Sequence, residues 1–327
     1  MIKGLDTQAA LIYKPIQEDL LIVDEKLLSL ADTSIPQLKP LLDHALAGGG
    51  KRVRSALTLL SSRFYPCSKE PPITMASAVE LLHLATLIHD DTIDDTDTRR
   101  GQQTIKNRWG EHVAVLLGDY VFAASATFVC DTNNIRVIRR FAETIMELAA
   151  GEIVEYFSCY DAERARELYQ DRIYRKTASL FCTAAETGAI LGNAPEQHVQ
   201  NLKTYGYHVG IAFQVVDDLL DVEGDADLLG KPVGNDLLHG VLTLPSIMLL
   251  ERYPDKNPIN AFFSDQSQID KLEQAIDMIK NSNIISECYA VIRDHCVKAS
   301  DSLGSLPNGP SRDSLKLLSD YIRERTN

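Results

Sequence analysis

Leu81-Leu82-His83-Leu84-Ala85-Thr86-Leu87-Ile88-His89-Asp90-Asp91-Thr92-Ile93-Asp94 is the stretch that decides how this 327-residue chain is read. A nearly uninterrupted apolar run ends in a DDxxD signature. Phe213-Gln214-Val215-Val216-Asp217-Asp218-Leu219-Leu220-Asp221 repeats the arrangement far downstream. On an α-helix, positions i and i+4 share a face about one turn apart, with i+1 beside them. Asp90, Asp91 and Asp94 therefore come close together with Asp97 below, as do Asp217, Asp218 and Asp221, followed by Asp225. Like charges at this spacing destabilise a helix, and crowded carboxylates resist ionising together. A solvated acidic face would explain one such cluster, but its flanks would then be polar. Helices apolar nearly all round belong to cores, so these carboxylates are expected to line an internal site. Hard divalent cations take oxygen ligands, and Mg²⁺ shared with a substrate phosphate is the usual arrangement.

Cations stand in matching places. Gly48-Gly49-Gly50-Lys51-Arg52-Val53-Arg54 sets three glycines before a helix start, a combination suited to an anion. It is no Walker loop, which would need glycine and Ser/Thr where Ala45 and Arg52 stand. Arg99-Arg100-Gly101 follows the first acidic cluster, Lys176-Thr177 lies in a helical stretch, and Lys231 follows the second cluster. His83 is seven residues before Asp90, hence on the acidic face, with a hydrogen bond to diphosphate or a satisfied core position as its two readings. His89 is six residues from it, the wrong spacing for a metal-binding pair on one helix face. No G-x-S-x-G elbow points to nucleophilic catalysis.

Helical periodicity predominates. An opening amphipathic helix is expected around Leu20–Leu28, then helices over 53–64, from a cap at Thr74 to the first acidic cluster, and over 112–130, 136–157, 162–191, 196–221, 237–252, 269–279, 285–303 and 314–325. Strand-like alternation is nearly absent. The expected fold is all-α, a multi-helix bundle around a deep central cavity, as one domain spanning 1–327, because no linker or composition break divides the chain. A net charge of −13 excludes nucleic acid as a partner. Six cysteines without metal-finger spacing read as thiols of a reducing compartment. With no signal-peptide pattern and no unbroken apolar run of about 18 residues, a cytoplasmic chain without a transmembrane segment is expected.

In order along the chain, Gly-Gly-Lys-Arg-Val-Arg, the first DDxxD with Arg99-Arg100-Gly101, Gly118-Asp119, Gly151-Glu152, Lys176-Thr177, the second DDxxD, Gly230-Lys231-Pro232-Val233-Gly234-Asn235-Asp236 and Thr243-Leu244-Pro245 resemble the trans-polyprenyl diphosphate synthases of the polyprenyl synthetase family. The resemblance covers nearly the whole chain. It implies head-to-tail (1'–4) condensation of isopentenyl diphosphate with an allylic diphosphate. Asp90, Asp91, Asp94, Asp217 and Asp221 would bind Mg²⁺, three ions in all, with Asp218 and Asp236 assisting through waters. Arg99, Lys176 and Lys231 would hold the allylic diphosphate, and Lys51, Arg54, His83 and Arg100 isopentenyl diphosphate. Thr177 and Gln214 would direct oxygens toward the developing allylic cation. A homodimer is implied, with a heteromeric catalytic subunit as the other assembly.

Three residues depart from the family pattern: Val241 where lysine is frequent, Ser55 where proline is usual, and Glu155 where glutamine often follows Gly-Glu. The positions five and four before Asp90, where bulky residues stop the growing chain in this family, hold Ala85 and Thr86. One helical turn, about 5.4 Å, is roughly one isoprene unit. The resemblance thus implies a medium or long product, about C30–C40, with Phe141 as a deeper floor. A short-chain farnesyl or geranylgeranyl synthase and a terpene cyclase are the alternatives.

Overall fold

The computed structural model describes residues 7–224, 233–255 and 257–324. The described residues are all-α apart from one two-stranded hairpin. Backbone packing divides the chain into two compact units. One takes residues up to 142 with 183–203 and 303–318; the other takes 143–182, 204–302 and residues from 319 on.

In the first unit, the helices Gln17–Ser29, Val53–Ser62, Glu70–Ile93 and Glu111–Asp131 supply most of the core. Gln17–Ser29 is amphipathic as expected: Leu20, Val23 and Leu27 are buried while Leu21, Ile22 and Leu28 are exposed. Glu70–Ile93 packs along Glu111–Asp131 and against Val53–Ser62. Thr74 does not cap the aspartate-rich helix, which begins four residues earlier. Pro71 and Pro72 occupy its first turn, where preset φ and a missing N–H cost nothing. Thr74 is buried inside the helix, its hydroxyl donating to Glu70 Oε1 at 3.3 Å. Both Glu70–Ile93 and Glu111–Asp131 are long and apolar enough, by length and composition, to cross a membrane, because scattered polar residues interrupt a run without removing its mean hydropathy. The first of them is mostly buried within the protein.

The helix expected over 162–191 is three segments. Ala165–Ile173 leads into a π-helical turn, Tyr174–Ala178, and a regular helix, Ser179–Leu191, follows. The helix expected over 237–252 is also divided, into Asn235–Leu238 and Leu244–Arg252. Pro245 cannot continue a preceding helix but suits the first turn of a new one, whose start is closed by the Thr243 N–H donating to Ser246 Oγ at 2.9 Å. Helices at Ile269–Lys280 and Ile284–Ser302 agree with expectation to within one residue at each end.

Candidate active site

Both acidic signatures lie at the C-terminal ends of long helices, Glu70–Ile93 and Glu196–Glu223. That is the end where unpaired carbonyls leave partial negative charge, so carboxylates there are doubly disfavoured unless a cation arrives.

In the first unit, Asp94 caps the C-terminal end of its helix, its N–H donating to Asp90 O at 2.8 Å. Asp91 is buried and accepts from Arg99 Nε at 2.7 Å, so the arginine shields one of the three carboxylates. Burial is the larger influence and raises the Asp91 pKa against that guanidinium. Arg99 and Arg100 are positioned by the hairpin, in which Thr98 pairs with Gln103 and Arg99 with Gln102. The two-residue loop between them, Arg100 and Gly101, has φ of 53° and 76°. Both positive values define a type I′ turn, which favours glycine in its second place. The Arg100 guanidinium bonds the carbonyls of Gly49 and Gly48. The glycine loop and the arginine pair, 50 residues apart in sequence, are thus one cationic cluster.

Arg52 is turned away from that role: its Nε donates to Asp24 at 2.9 Å and its Nη1 to Glu80 at 3.3 Å. Lys51 is exposed and Arg54 half-buried, on the stretch where the helix Val53–Ser62 begins. Half-buried His83 lies within the field of Arg54, Arg100, Arg99 and Arg52. Burial first, then those four charges, hold its pKa well below the ordinary imidazole value, so it is neutral at physiological pH. With Arg52 engaged by Asp24 and Glu80, the guanidinium groups of Arg54, Arg99 and Arg100 beside the imidazole make an anion site. Ala85 is buried and Thr86 half-buried on the same helix, while Phe141 is fully buried.

The second unit carries a continuous hydrogen-bond chain. Thr177 Oγ1 donates to Gln214 Oε1 at 2.5 Å, Gln214 Nε2 to Asp218 Oδ1 at 2.9 Å, and Tyr169 Oη to Asp218 Oδ2 at 2.5 Å. Asp218 is therefore buried and oriented from both sides. Burial raises its pKa, and the bonds from Tyr169 and Gln214 oppose that rise. Asp221 is buried and accepts the Asp236 backbone N–H at 3.1 Å, which puts Asp236 beside it. Asp217 is half-buried. Lys231 lies outside the described residues.

Lys176 Nζ reaches Glu155 Oε1 at 2.6 Å and Glu152 Oε2 at 3.0 Å. The π turn presents it, since one extra residue in the turn rotates the following side chains, a device frequent at functional sites. Gly151 allows the approach: a Cβ there would lie 2.9 Å from the Lys176 nitrogen and from Arg175 Cβ. Tyr169 and Arg172 were not singled out by sequence reading, because neither belongs to a spaced signature.

Among the described residues, no three His, Cys, Asp or Glu side chains converge as a ready-made metal cage. The donor set still fits Mg²⁺. Oxygen ligands sit at negative helix ends, and this ion commonly takes one or two carboxylates and completes its shell with waters and substrate phosphates.

The polyprenyl synthetase family model matches residues 35–279. Heptaprenyl diphosphate synthase component 2 of Bacillus subtilis (strain 168) is 35% identical over 98% of this chain and 92% of its own length. The protein of the same description from Geobacillus stearothermophilus is 37% identical over 96% of this chain and 98% of its own. The crystal structure of heptaprenyl diphosphate synthase from Staphylococcus aureus superposes with a TM-score of 0.91 at 33% identity, covering 95% of this chain and 98% of that one. The ordered motifs, the all-α fold and these likenesses agree: the chain belongs to the polyprenyl synthetase family and is a prenyltransferase of the trans-polyprenyl diphosphate synthase class.

Proposed function

We propose that this chain condenses isopentenyl diphosphate head-to-tail with an allylic diphosphate, repeatedly, to an all-trans product of about C30–C40, with both units working as one catalytic domain over 1–327. The observation that carries the reading is the placing of both acidic signatures at helix C-termini, with Arg99 on Asp91 in the first unit and Lys176 held by Glu152 and Glu155 in the second, a set of charges that suits magnesium diphosphates. Asp90, Asp91, Asp94, Asp217, Asp221 and Asp236 are the residues that would hold Mg²⁺, three ions by family likeness. Bound there, the metal supplies charge neutralisation on the departing diphosphate.

The chain's own groups do the rest. Arg99, Lys176 and Lys231 hold the allylic diphosphate, while Lys51, Arg54, Arg100 and neutral His83 hold isopentenyl diphosphate. His83 offers an imidazole nitrogen to that site, beside the guanidinium groups of Arg54 and Arg100. Gln214 and Thr177 direct oxygen toward the allylic cation. The Thr177 proton is committed to Gln214, which leaves the hydroxyl lone pairs for that task. Apolar walls deny the cation water. Asp218, buried among Tyr169 and Gln214, orients the Gln214 amide.

Small side chains at Ala85 and Thr86 support a product beyond geranylgeranyl length, as do the heptaprenyl synthases among its relatives. Phe141 is proposed as the deeper floor. Incubating the purified protein with Mg²⁺, labelled isopentenyl diphosphate and a farnesyl or geranylgeranyl primer, then sizing products, tests the reading. Products stopping at C20 would establish the short-chain alternative. Hydrocarbon released from the allylic substrate alone would establish a cyclase.

A second copy of the chain is the proposed partner. Val115, Leu116 and Tyr120 are exposed on the strongly apolar helix Glu111–Asp131, an unusual sight on a monomer surface. The "component 2" wording for two relatives makes a heteromer the competing assembly. Elongation by the isolated chain, sedimenting as a dimer, decides for the homodimer. Six free thiols support a reducing, cytoplasmic setting.

A further inference from the structure

Glu155, the residue that replaces the family's more frequent glutamine, has a definite place in the structure. One of its oxygens accepts from Lys176 Nζ at 2.6 Å, and the other lies 3.3 Å from Arg172 Nε. All three side chains are largely shielded from solvent, with exposures of 18% for Glu155, 28% for Lys176 and 8% for Arg172. Glu152 is the second carboxylate on Lys176, at 3.0 Å. Lys176 and Arg172 against Glu152 and Glu155 make a group of zero net charge. Glutamine at 155 would leave one positive charge to meet an anion.

Arg172 does not depend on Glu155 alone. Its Nη2 donates to the Leu242 carbonyl at 2.8 Å, and its guanidinium lies over the Tyr169 ring at 5.5 Å. Lys176 is held more closely by the acid, through a short charge-assisted contact, the stronger kind. Val241, beside that carbonyl, stands where a lysine is frequent in the family, so one departure adds a negative charge to this unit and the other removes a positive one.

We infer that Glu155 competes with substrate and product diphosphate for Lys176, and thereby weakens the grip of this enzyme on both the allylic diphosphate and released inorganic diphosphate. The inference rests on the assignment of Lys176 to the allylic diphosphate. In each elongation cycle a diphosphate must leave before the lengthened chain is positioned again. An acid that recovers the lysine as the anion departs favours that exchange. Glu155 acts through Lys176, so it is a positioning residue.

Steady-state kinetics on Glu155→Gln, with inorganic diphosphate as inhibitor and Mg²⁺ in fixed excess, tests this. The substitution keeps shape and an acceptor for Arg172 while removing the charge. The KM for the allylic diphosphate and the inhibition constant of inorganic diphosphate should both fall roughly fivefold, about 1 kcal/mol at 1.4 kcal/mol per decade, as for a partly shielded ion pair. The KM for isopentenyl diphosphate should stay unchanged, an outcome that general loosening of the fold would not give. In a Lys176→Ala background, Glu155→Gln should have no effect on either constant. Both constants unchanged or raised in Glu155→Gln, while Lys176→Ala alone weakens them, overturns the role of Glu155 and leaves Lys176 in place. Unchanged constants in Lys176→Ala overturn the underlying assignment. If Glu155→Gln fails to fold, Glu155→Asp, which withdraws the charge by one methylene, should shift both constants the same way, and no shift there overturns the inference.

Discussion

Asp218 shows how single residues trade stability for function. Burial raises its pKa, and the hydroxyl of Tyr169 and the amide of Gln214 compensate only in part. A carboxyl with a raised folded pKa contributes its stability while protonated, and that contribution is lost as pH rises through the folded value. Asp218→Asn should therefore melt higher than the parent at about pH 8 in metal-free buffer, with the difference shrinking as pH falls toward the ordinary aspartate range. Elongation should fall at the same time, because the Gln214 amide loses its charged partner; an equal or lower melting temperature at alkaline pH would contradict the burial argument. Thr177 and Gln214 were legible in the sequence only through the family resemblance, and the structure joins them by a hydrogen bond. Tyr169 and Arg172 were not legible, since a buried tyrosine or arginine acquires meaning only from the groups packed around it.

Elements carry the site by where they end and how closely they approach. Long apolar helices closing in DDxxD could be read from the sequence because a run of core residues followed by clustered acids has no ordinary surface explanation. The π turn that presents Lys176 could not, because its residues keep helical composition on either side and one inserted residue leaves no periodic trace. The hairpin that aims Arg99 and Arg100 was missed for a similar reason: two-residue strands are too short to show alternation. The start of Glu70–Ile93 was misplaced by giving Thr74 precedence over two prolines. Two predictions belong at this scale. Gly151→Ala would press a methyl group into the Lys176 backbone. It should cost about 1–3 kcal/mol by overpacking, read by thermal unfolding, and should raise the allylic KM; unchanged stability and KM would refute the close approach. Ala85→Phe fills a buried small position on the aspartate-rich helix and should shorten the products by several isoprene units in chromatography. Unchanged chain length would remove the argument from small side chains.

At the scale of the molecule, a chain of net charge −13 must attract two diphosphates. The clustered guanidinium groups around His83 provide the local field that overrides the global sign. Fold class and enzyme class were both legible because the two signatures and their cations recur in a fixed order along the whole chain. The most direct measurement of the central claim is elongation by Asp90→Ala, Asp217→Ala and the double variant, each verified as folded. The account predicts that each single change lowers kcat/KM by roughly a thousandfold, as loss of transition-state charge stabilisation does. It also predicts that the double variant loses no more than about tenfold further, because the two acidic sets act as a unit in one catalytic cycle. A single variant retaining near-parental turnover, or losses that simply multiply, would contradict it.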